Sequence, residues 1–244
     1  MQTNIIVIPC YNESKRLDIP NYKSFLNKNQ NVTICFVNDG SSDDTLDTIT
    51  SMANQNPQQI KFFTYKKNVG KASAVRKGIL YSLEKFSPKY ISYIDADLSV
   101  SLKECISLNQ YLDDKIHFCF GSRILRLGSD IQRKRYRFLI GRFIATIISM
   151  NLDLKVYDTQ CGCKCFNTKL AREVFREEFI SKWLFDVEIF FRILKIYGRN
   201  EGTKTMYEVP LKRWIDKGDS KVKMSYCFKL LIDLYNIKNK YKDI

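Results

Sequence analysis

Through the first half of the chain, short apolar runs alternate with longer stretches whose apolar residues recur at helical spacing. The runs at 4–9, 32–37, 60–65, 90–94 and 116–120 read as strands, and the stretches at 21–27, 43–54, 71–86 and 102–112 read as helices. Such alternation with short joints predicts an α/β fold: a mostly parallel central sheet flanked by helices. After Gly121 the pattern loosens. Residues 131–154 read as one long helix, 163–166 as a short strand, 186–197 as a helix, 205–211 as a strand and 220–241 as a final amphipathic helix. No repeat or low-complexity stretch interrupts this order.

Charge changes the picture in the second half. Residues 1–100 carry 12 Lys and Arg against 9 Asp and Glu, whereas 101–244 carry 28 against 17, within a net charge of +14. That half is expected to face an anion, and nucleic acid or an anionic membrane surface both qualify electrostatically. Arg133, Lys134, Arg135, Arg137 and Arg142 crowd the start of the predicted 131–154 helix, ahead of an apolar run too short to span a bilayer, which needs roughly 20 residues. A basic amphipathic helix lying among lipid headgroups and a core helix with a solvated basic end fit that composition equally. The last helix sets Lys221, Lys223, Lys229, Lys238 and Lys240 beside Met224, Phe228, Leu231, Leu234 and Tyr235, so it too can rest on lipid. The start of the chain shows no basic-then-apolar leader pattern. Eight scattered cysteines in a chain of this length suggest reduced thiols and a cytosolic setting. Cys161, Cys163 and Cys165 lack zinc spacing, and they and the lone His117 are expected to be structural.

The most informative stretch is Tyr90-Ile91-Ser92-Tyr93-Ile94-Asp95-Ala96-Asp97-Leu98-Ser99, where a strand ends in two carboxylates one residue apart. A hard cation such as Mg²⁺ or Mn²⁺ accepts one or two protein carboxylates and fills its other positions with phosphate oxygens and water. Taken alone, the pair also describes an ordinary Asx turn or helix cap, so its companions decide. Pro9-Cys10-Tyr11-Asn12-Glu13 closes the first strand and Val37-Asn38-Asp39-Gly40-Ser41-Ser42 the second. In a parallel sheet both emerge at the edge carrying Asp95 and Asp97, where ligands of such sheets bind. Tyr11 offers a flat ring to a nucleobase, and Glu13 and Asp39 can accept hydrogen bonds from base or ribose. Asn68-Val69-Gly70-Lys71 then puts a glycine and a cation at a helix N-terminus, which suits a diphosphate. The spacing of a P-loop is absent.

These motifs, followed by Gly121-Ser122-Arg123 and Asp158-Thr159-Gln160-Cys161-Gly162, resemble glycosyltransferase family 2 in the family's order, from Pro9 to about residue 221. Within it, the chain is similar to the polyprenyl-phosphate (dolichyl-phosphate) glucosyl- and mannosyltransferases. The run Phe185-Asp186-Val187-Glu188 and the segment Ser220-Lys221-Val222 fit the glucosyl branch. The resemblance implies a GT-A fold, a divalent cofactor, Mg²⁺ or Mn²⁺, and transfer of a hexose from a nucleotide sugar to a polyprenyl phosphate. UDP-glucose is the favoured donor and GDP-mannose the second candidate. Carried over residue by residue, Pro9, Tyr11, Glu13, Asp39, Lys71, Asp95 and Ala96 bind the nucleotide sugar, and Asp95 and Asp97 hold the metal. Asp97, Asp158 and Arg123 form the catalytic set, and Arg123 and Arg137 hold the acceptor phosphate. Residues 1–125 then form the nucleotide-sugar half and 126–244 the acceptor and membrane-interface half of one catalytic domain. Asn38, Cys10 and Ala72-Ser73 depart from the family's commoner residues, which leaves the donor's base open.

The implied acceptor is a phosphate monoester with a second pKa of about 6, already an oxyanion near neutral pH. Asp158 is therefore expected to position groups rather than act as a strong base, and direct displacement inverts the anomeric centre. The expected setting is cytoplasmic, peripheral on the cytoplasmic face of a membrane, alone, as a homo-oligomer or with a separate membrane partner. Two rivals remain. A family 2 transferase acting on a glycan hydroxyl needs a true base, with Asp186 or Glu188 favoured. A basic nucleic-acid-binding protein is the reading outside enzymes, but no nucleic-acid motif supports it, and nucleic acid is not an expected partner.

Overall fold

A computed structural model describes residues 4–218 and 226–244, without the side chains of 226–228. The expected alternation is present: β1 (Asn4–Cys10), α1 (Ile19–Lys28), β2 (Val32–Asn38), α2 (Thr45–Gln55), β3 (Ile60–Thr64), α3 (Lys71–Lys85) and β4 (Tyr90–Ile94). Then follow α4 (Leu102–Ser107), β5 (Phe118–Ser122), β6 (Asp130–Gln132), α5 (Arg135–Leu152), β7 (Cys163–Asn167) and α6 (Thr168–Val174). The chain closes with α7 (Phe185–Tyr197), α8 (Arg199–Lys204), β8 (Met206–Pro210), β9 (Arg213–Ile215) and α9 (Tyr226–Lys240).

Seven strands form one sheet in the order β3-β2-β1-β4-β7-β5-β8. β1 to β4 are parallel, and β8 is parallel to β5, but β7 runs antiparallel to both β4 and β5. Because β7 is reversed, its first residue, Cys163, pairs with Ile94, the last residue of β4. The loop entering β7 therefore arrives at the edge that the parallel strands leave.

Both faces of the sheet are covered, so its strands read as continuous apolar runs. Ile5 and Val7 of β1 join Cys35 and Val37 of β2 in a core with α3, α6, α7 and α9, which includes Phe166, Phe190 and Ile237. Ile6 and Ile8 alternate to the other face, where they meet Ile34, Phe36, Tyr22, Ile49 and Leu108. The alternation follows from the period of two along a strand. α3 sits close to the sheet because Gly78 leaves no side chain between the helix and Val7 and Val37.

Several expected elements are corrected. The helix expected at 131–154 begins only at Arg135, since residues 130–132 pair as β6 with β9, eighty-odd residues on in sequence. Arg133 and Lys134 thus lie in a link between strand and helix. The helix expected at 102–112 is α4 followed by a separate tight turn over Leu108–Tyr111. The strand expected at 116–120 is shifted to Phe118–Ser122, since pairing with β8 starts at Phe118 opposite Met206 and the Ile116 carbonyl is instead taken by the Asp113 N–H. The short helices α6 and α8 and the strand β9 carry too few residues to show periodicity. Of the last predicted helix, Tyr226–Lys240 is helical; Lys221, Lys223, Met224 and the segment Ser220-Lys221-Val222 lie outside the described residues, as does the Phe228 side chain.

Candidate active site

After Ile94 the chain turns through Asp95, Ala96 and Asp97 into Leu98, whose φ of 52° is left-handed. The turn is fixed on every side. The Asp95 N–H donates to the Gly162 carbonyl (3.1 Å), the Ser99 N–H to Asp97 Oδ1 (2.9 Å), and the Tyr22 hydroxyl to the Ala96 carbonyl (3.0 Å). A cation faces each acid: Lys71 Nζ lies 2.5 Å from Asp95 Oδ1, and Arg16 Nη2 lies 2.7 Å from Asp97 Oδ2. The Asp95 carboxylate occupies the space a side chain at residue 162 would need, so glycine there is a steric requirement.

The acid pair lines a cleft of about 810 Å³, within the ordinary range for ligand sites. Pro9, Tyr11, Glu13, Asp39, Lys71 and Ala96 line the same cleft, so every residue assigned to the nucleotide sugar meets there. Tyr11 exposes 39% of its surface. Asp39 is buried, and its carboxylate accepts the Val69 N–H (2.8 Å), the Gly70 N–H (2.9 Å) and the Asn68 side-chain amide (2.9 Å). Burial raises its pKa, and these N–H groups offset part of the rise. Asp39 therefore shapes the loop that delivers Lys71, with few lone pairs left for a ligand.

Arginines crowd the other end of the cleft. Arg123 forks onto Asp158, Nε to Oδ2 at 2.6 Å and Nη2 to Oδ1 at 2.8 Å, and its backbone N–H adds a third bond at 3.1 Å. Glu208 accepts the N–H groups of Asp158 and Tyr157, which fixes the approach to this pair. Burial would raise the Asp158 carboxyl, but the Arg123 guanidinium and its hydrogen bonds outweigh it and hold the pKa at about 2. A group so acidic is a poor general base near neutral pH. Arg137 Nη1 bonds both oxygens of Asp216 at 3.0 Å, and Arg133 lines the cleft nearby.

Asp186 and Glu188, the bases that a hydroxyl acceptor would call on, are buried elsewhere. Asp186 Oδ1 accepts from Lys164 Nζ and the Tyr93 hydroxyl, each at 2.5 Å. Glu188 accepts from Arg192, the Tyr241 hydroxyl and the Ile180 N–H, tying α7 to the residue that follows α9. The seven cysteines among the described residues are all free and buried, and His117 bonds Tyr197 and a loop carbonyl. Motif reading missed Arg16, Lys182, Trp183, Trp214 and Asp216, which also line the cleft. Lys182 and Trp183 ride on the loop before α7, pinned by Arg192 to the carbonyls of Val174, Glu177 and Glu178. No spacing in the sequence announces them.

Among the described residues there is no cluster of three or more metal-ligating side chains. Asp95 and Asp97 still fit a hard cation. They offer oxygen only, face the cleft, and each keeps lone pairs beyond those its cation uses. That suits a metal held largely by a substrate's phosphates.

The profile of the family described as Glycosyl transferase family 2 matches residues 5–175. A dolichyl-phosphate beta-glucosyltransferase of Trichomonas vaginalis is 31% identical over 245 residues, 95% of this chain and 69% of that protein. One from Dictyostelium discoideum is 31% identical over 78% of this chain, and the chain spans 62% of its length. Among solved structures, glucosyl-3-phosphoglycerate synthase from Mycobacterium tuberculosis, in complex with Mn²⁺, UDP-glucose and phosphoglyceric acid, superposes with a TM-score of 0.70. It covers 98% of this chain and 80% of that one at 14% identity, a likeness of fold. That fold is GT-A.

Two outcomes are expected. Gly162→Ala should push the Asp95 carboxylate aside and lower the turnover number about 100-fold, the scale of a misplaced reactive group, with the melting temperature little changed. A turnover number within a factor of two of wild type would refute the steric reading. Asp158→Asn should cost about 3 kcal/mol in urea denaturation, because it leaves Arg123 buried and unpaired. Since the folded pKa of about 2 lies below the ordinary 3.8, the stabilisation from Asp158 is complete above pH 4 and is lost as pH falls from 4 towards 2. A wild-type pH–rate profile with an acid limb near neutrality that vanishes in Asp158→Asn would instead identify Asp158 as a base.

Proposed function

The chain belongs to glycosyltransferase family 2, and we propose that it is a metal-dependent, inverting transferase that moves a hexose, glucose foremost, from UDP-glucose to a polyprenyl phosphate. GDP-mannose is the second donor. The two curated relatives named above are dolichyl-phosphate beta-glucosyltransferases, which supports both the sugar and the acceptor class. One observation carries the reading: the acceptor end of the cleft is rich in arginine, and its carboxylates Asp158 and Asp216 are each locked in a salt bridge. Among the described residues, a hydroxyl acceptor would find no free base there. A phosphate monoester needs none, because it arrives ionised.

Tyr11, Glu13 and the loop shaped by Asp39 receive the nucleotide. Lys71, at the first turn of α3, places a cation and a helix N-terminus beside its diphosphate. Asp95 and Asp97 would hold Mg²⁺ or Mn²⁺, which when bound would supply Lewis-acid stabilisation of the departing nucleotide's charge. Arg123 spends two of its five N–H groups on Asp158 and keeps the others for acceptor oxygens, in an orientation the fork makes rigid. Its guanidinium also packs over the Trp214 ring, 5.4 Å from the centroid. Attack by the phosphate oxygen opposite the leaving nucleotide turns an α-linked donor into a β-linked lipid phosphate.

The acceptor's chain stays in a bilayer, so the enzyme works at its surface, on the cytoplasmic face, where anionic lipids attract basic segments by about 1 kcal/mol per residue. Tyr136, Leu139, Ile140 and Phe143 are exposed along α5 among arginines, and Leu231, Ile232 and Tyr235 along α9 among lysines, which supports these two helices as the docking elements. No described helix is long and apolar enough to cross a membrane.

With UDP-[¹⁴C]glucose, Mn²⁺ and a short polyprenyl phosphate, label is expected in the organic extract as a mild-acid-labile lipid phosphate. Transfer to oligosaccharide alone would sink the proposal. In flotation the protein should rise with phosphatidylserine vesicles at low salt and detach as salt screens the attraction. Failure to float at low salt would remove the docking assignment.

A further inference from the structure

Four arginines line the cleft: Arg16, Arg123, Arg133 and Arg137. Three are ion-paired, to Glu13 and Asp97, to Asp158 and to Asp216. Arg133 differs: among the described residues it has no ion pair and no hydrogen bond. It sits in the link between β6 and α5, with its guanidinium laid over Gly141, in the second turn of the helix. A β-carbon at 141 would stand 2.6 Å from Nη2 and 3.0 Å from Nη1, so the absent side chain is what admits the guanidinium to this position.

Arg133 also lines a second hollow of about 260 Å³ beside the cleft, walled chiefly by Leu125, Ile131, Phe138 and Leu139. It therefore stands where a polar site meets an apolar groove. Building on the polyprenyl-phosphate reading above, we propose that Arg133 is the charge that captures the acceptor's phosphate, and that the prenyl chain leaves the site along the groove of Leu125, Ile131, Phe138 and Leu139.

The electrostatics agree. Burial and the neighbouring Arg123 and Arg137 cations lower the Arg133 pKa to about 10, against the opposing pull of Asp158 and Asp216. The group is still a cation at neutral pH, held in an unfavourable field that a dianionic phosphate would reverse. Arg123 and Arg137 bring geometry to the phosphate, but their charge is already balanced by Asp158 and Asp216. Arg133 brings the uncompensated charge. The groove supplies the matching apolar wall at its side, which selects an amphiphile with its phosphate at one end over a free sugar phosphate.

Steady-state transfer from UDP-glucose separates these roles, using farnesyl phosphate and dimethylallyl phosphate as acceptors. Arg133→Gln should raise the KM for farnesyl phosphate about 10-fold or more, the loss of one charge-assisted contact. The KM for UDP-glucose should stay within a factor of two. Arg133→Lys should be intermediate. Gly141→Ala keeps the arginine but displaces its guanidinium, and should raise the acceptor KM too, even though alanine is the better helix former. Leu139→Ser should shrink the preference for farnesyl over dimethylallyl phosphate, whereas Arg133→Gln should weaken both acceptors and preserve that preference. Unchanged acceptor KM in the folded Arg133→Gln and Gly141→Ala proteins overturns the inference while leaving the proposed reaction intact. So does a rise in donor KM equal to that for the acceptor. If the wild type transfers glucose to neither prenyl phosphate, the proposed reaction itself fails and this inference falls with it.

Discussion

Strand β7 runs against both of its neighbours, and the make-up of the cleft depends on that reversal. A parallel strand in its place would bring its entering loop to the far edge of the sheet. Reversed, β7 delivers residues 158–162 to the edge where β4 ends, so that Gly162 lies against Asp95 and Asp158 meets Arg123 at the end of β5. Asp95, Asp97 and the Arg123–Asp158 pair thus come from neighbouring strand ends, held by one ladder of backbone hydrogen bonds.

Crowding so many half-buried charges beside one another is tolerable because nearly all of those in the described residues are matched. Lys71 meets Asp95, Arg16 meets Asp97, Arg123 meets Asp158 and Arg137 meets Asp216. Beneath the cleft, Lys164 is fully buried and satisfied by Asp186 and the Cys161 carbonyl, which stiffens the floor on which Asp95 rests. An unmatched buried charge would be strongly destabilising. Among the described arginines of the cleft, Arg133 is the one without an ion pair; it is half-buried at the cleft wall, where an anionic ligand would balance its charge.

Legibility followed the range of the interactions. β1, β2, β3, β4 and α3 were readable to within a residue or two, because buried parallel strands and amphipathic helices write their periodicity into consecutive residues. The acid pair and the Tyr11, Asp39 and Lys71 motifs were readable for the same reason: each sits where a recognisable element ends. The start of α5 was not, because Ile131 looks like the first apolar position of a helix until β9 arrives to pair with it. Likewise nothing near Asp216 signals that it belongs to Arg137, or that the 175–184 loop will be pinned by Arg192 and carry Trp183 to the cleft.

The sequence by itself determined the class of sheet, the edge that carries the cleft and the residue types that gather there from the parallel strands, since all of these follow from local pattern and from the direction of those strands. Only the tertiary structure decided which charges are spent and which remain. It removed Asp186 and Glu188 from the cleft, fixed Asp158 as an ionised partner of Arg123, and left Arg133 facing the site over Gly141. Ion pairing and steric room depend on residues far apart in the chain, and no spacing along it records their meeting.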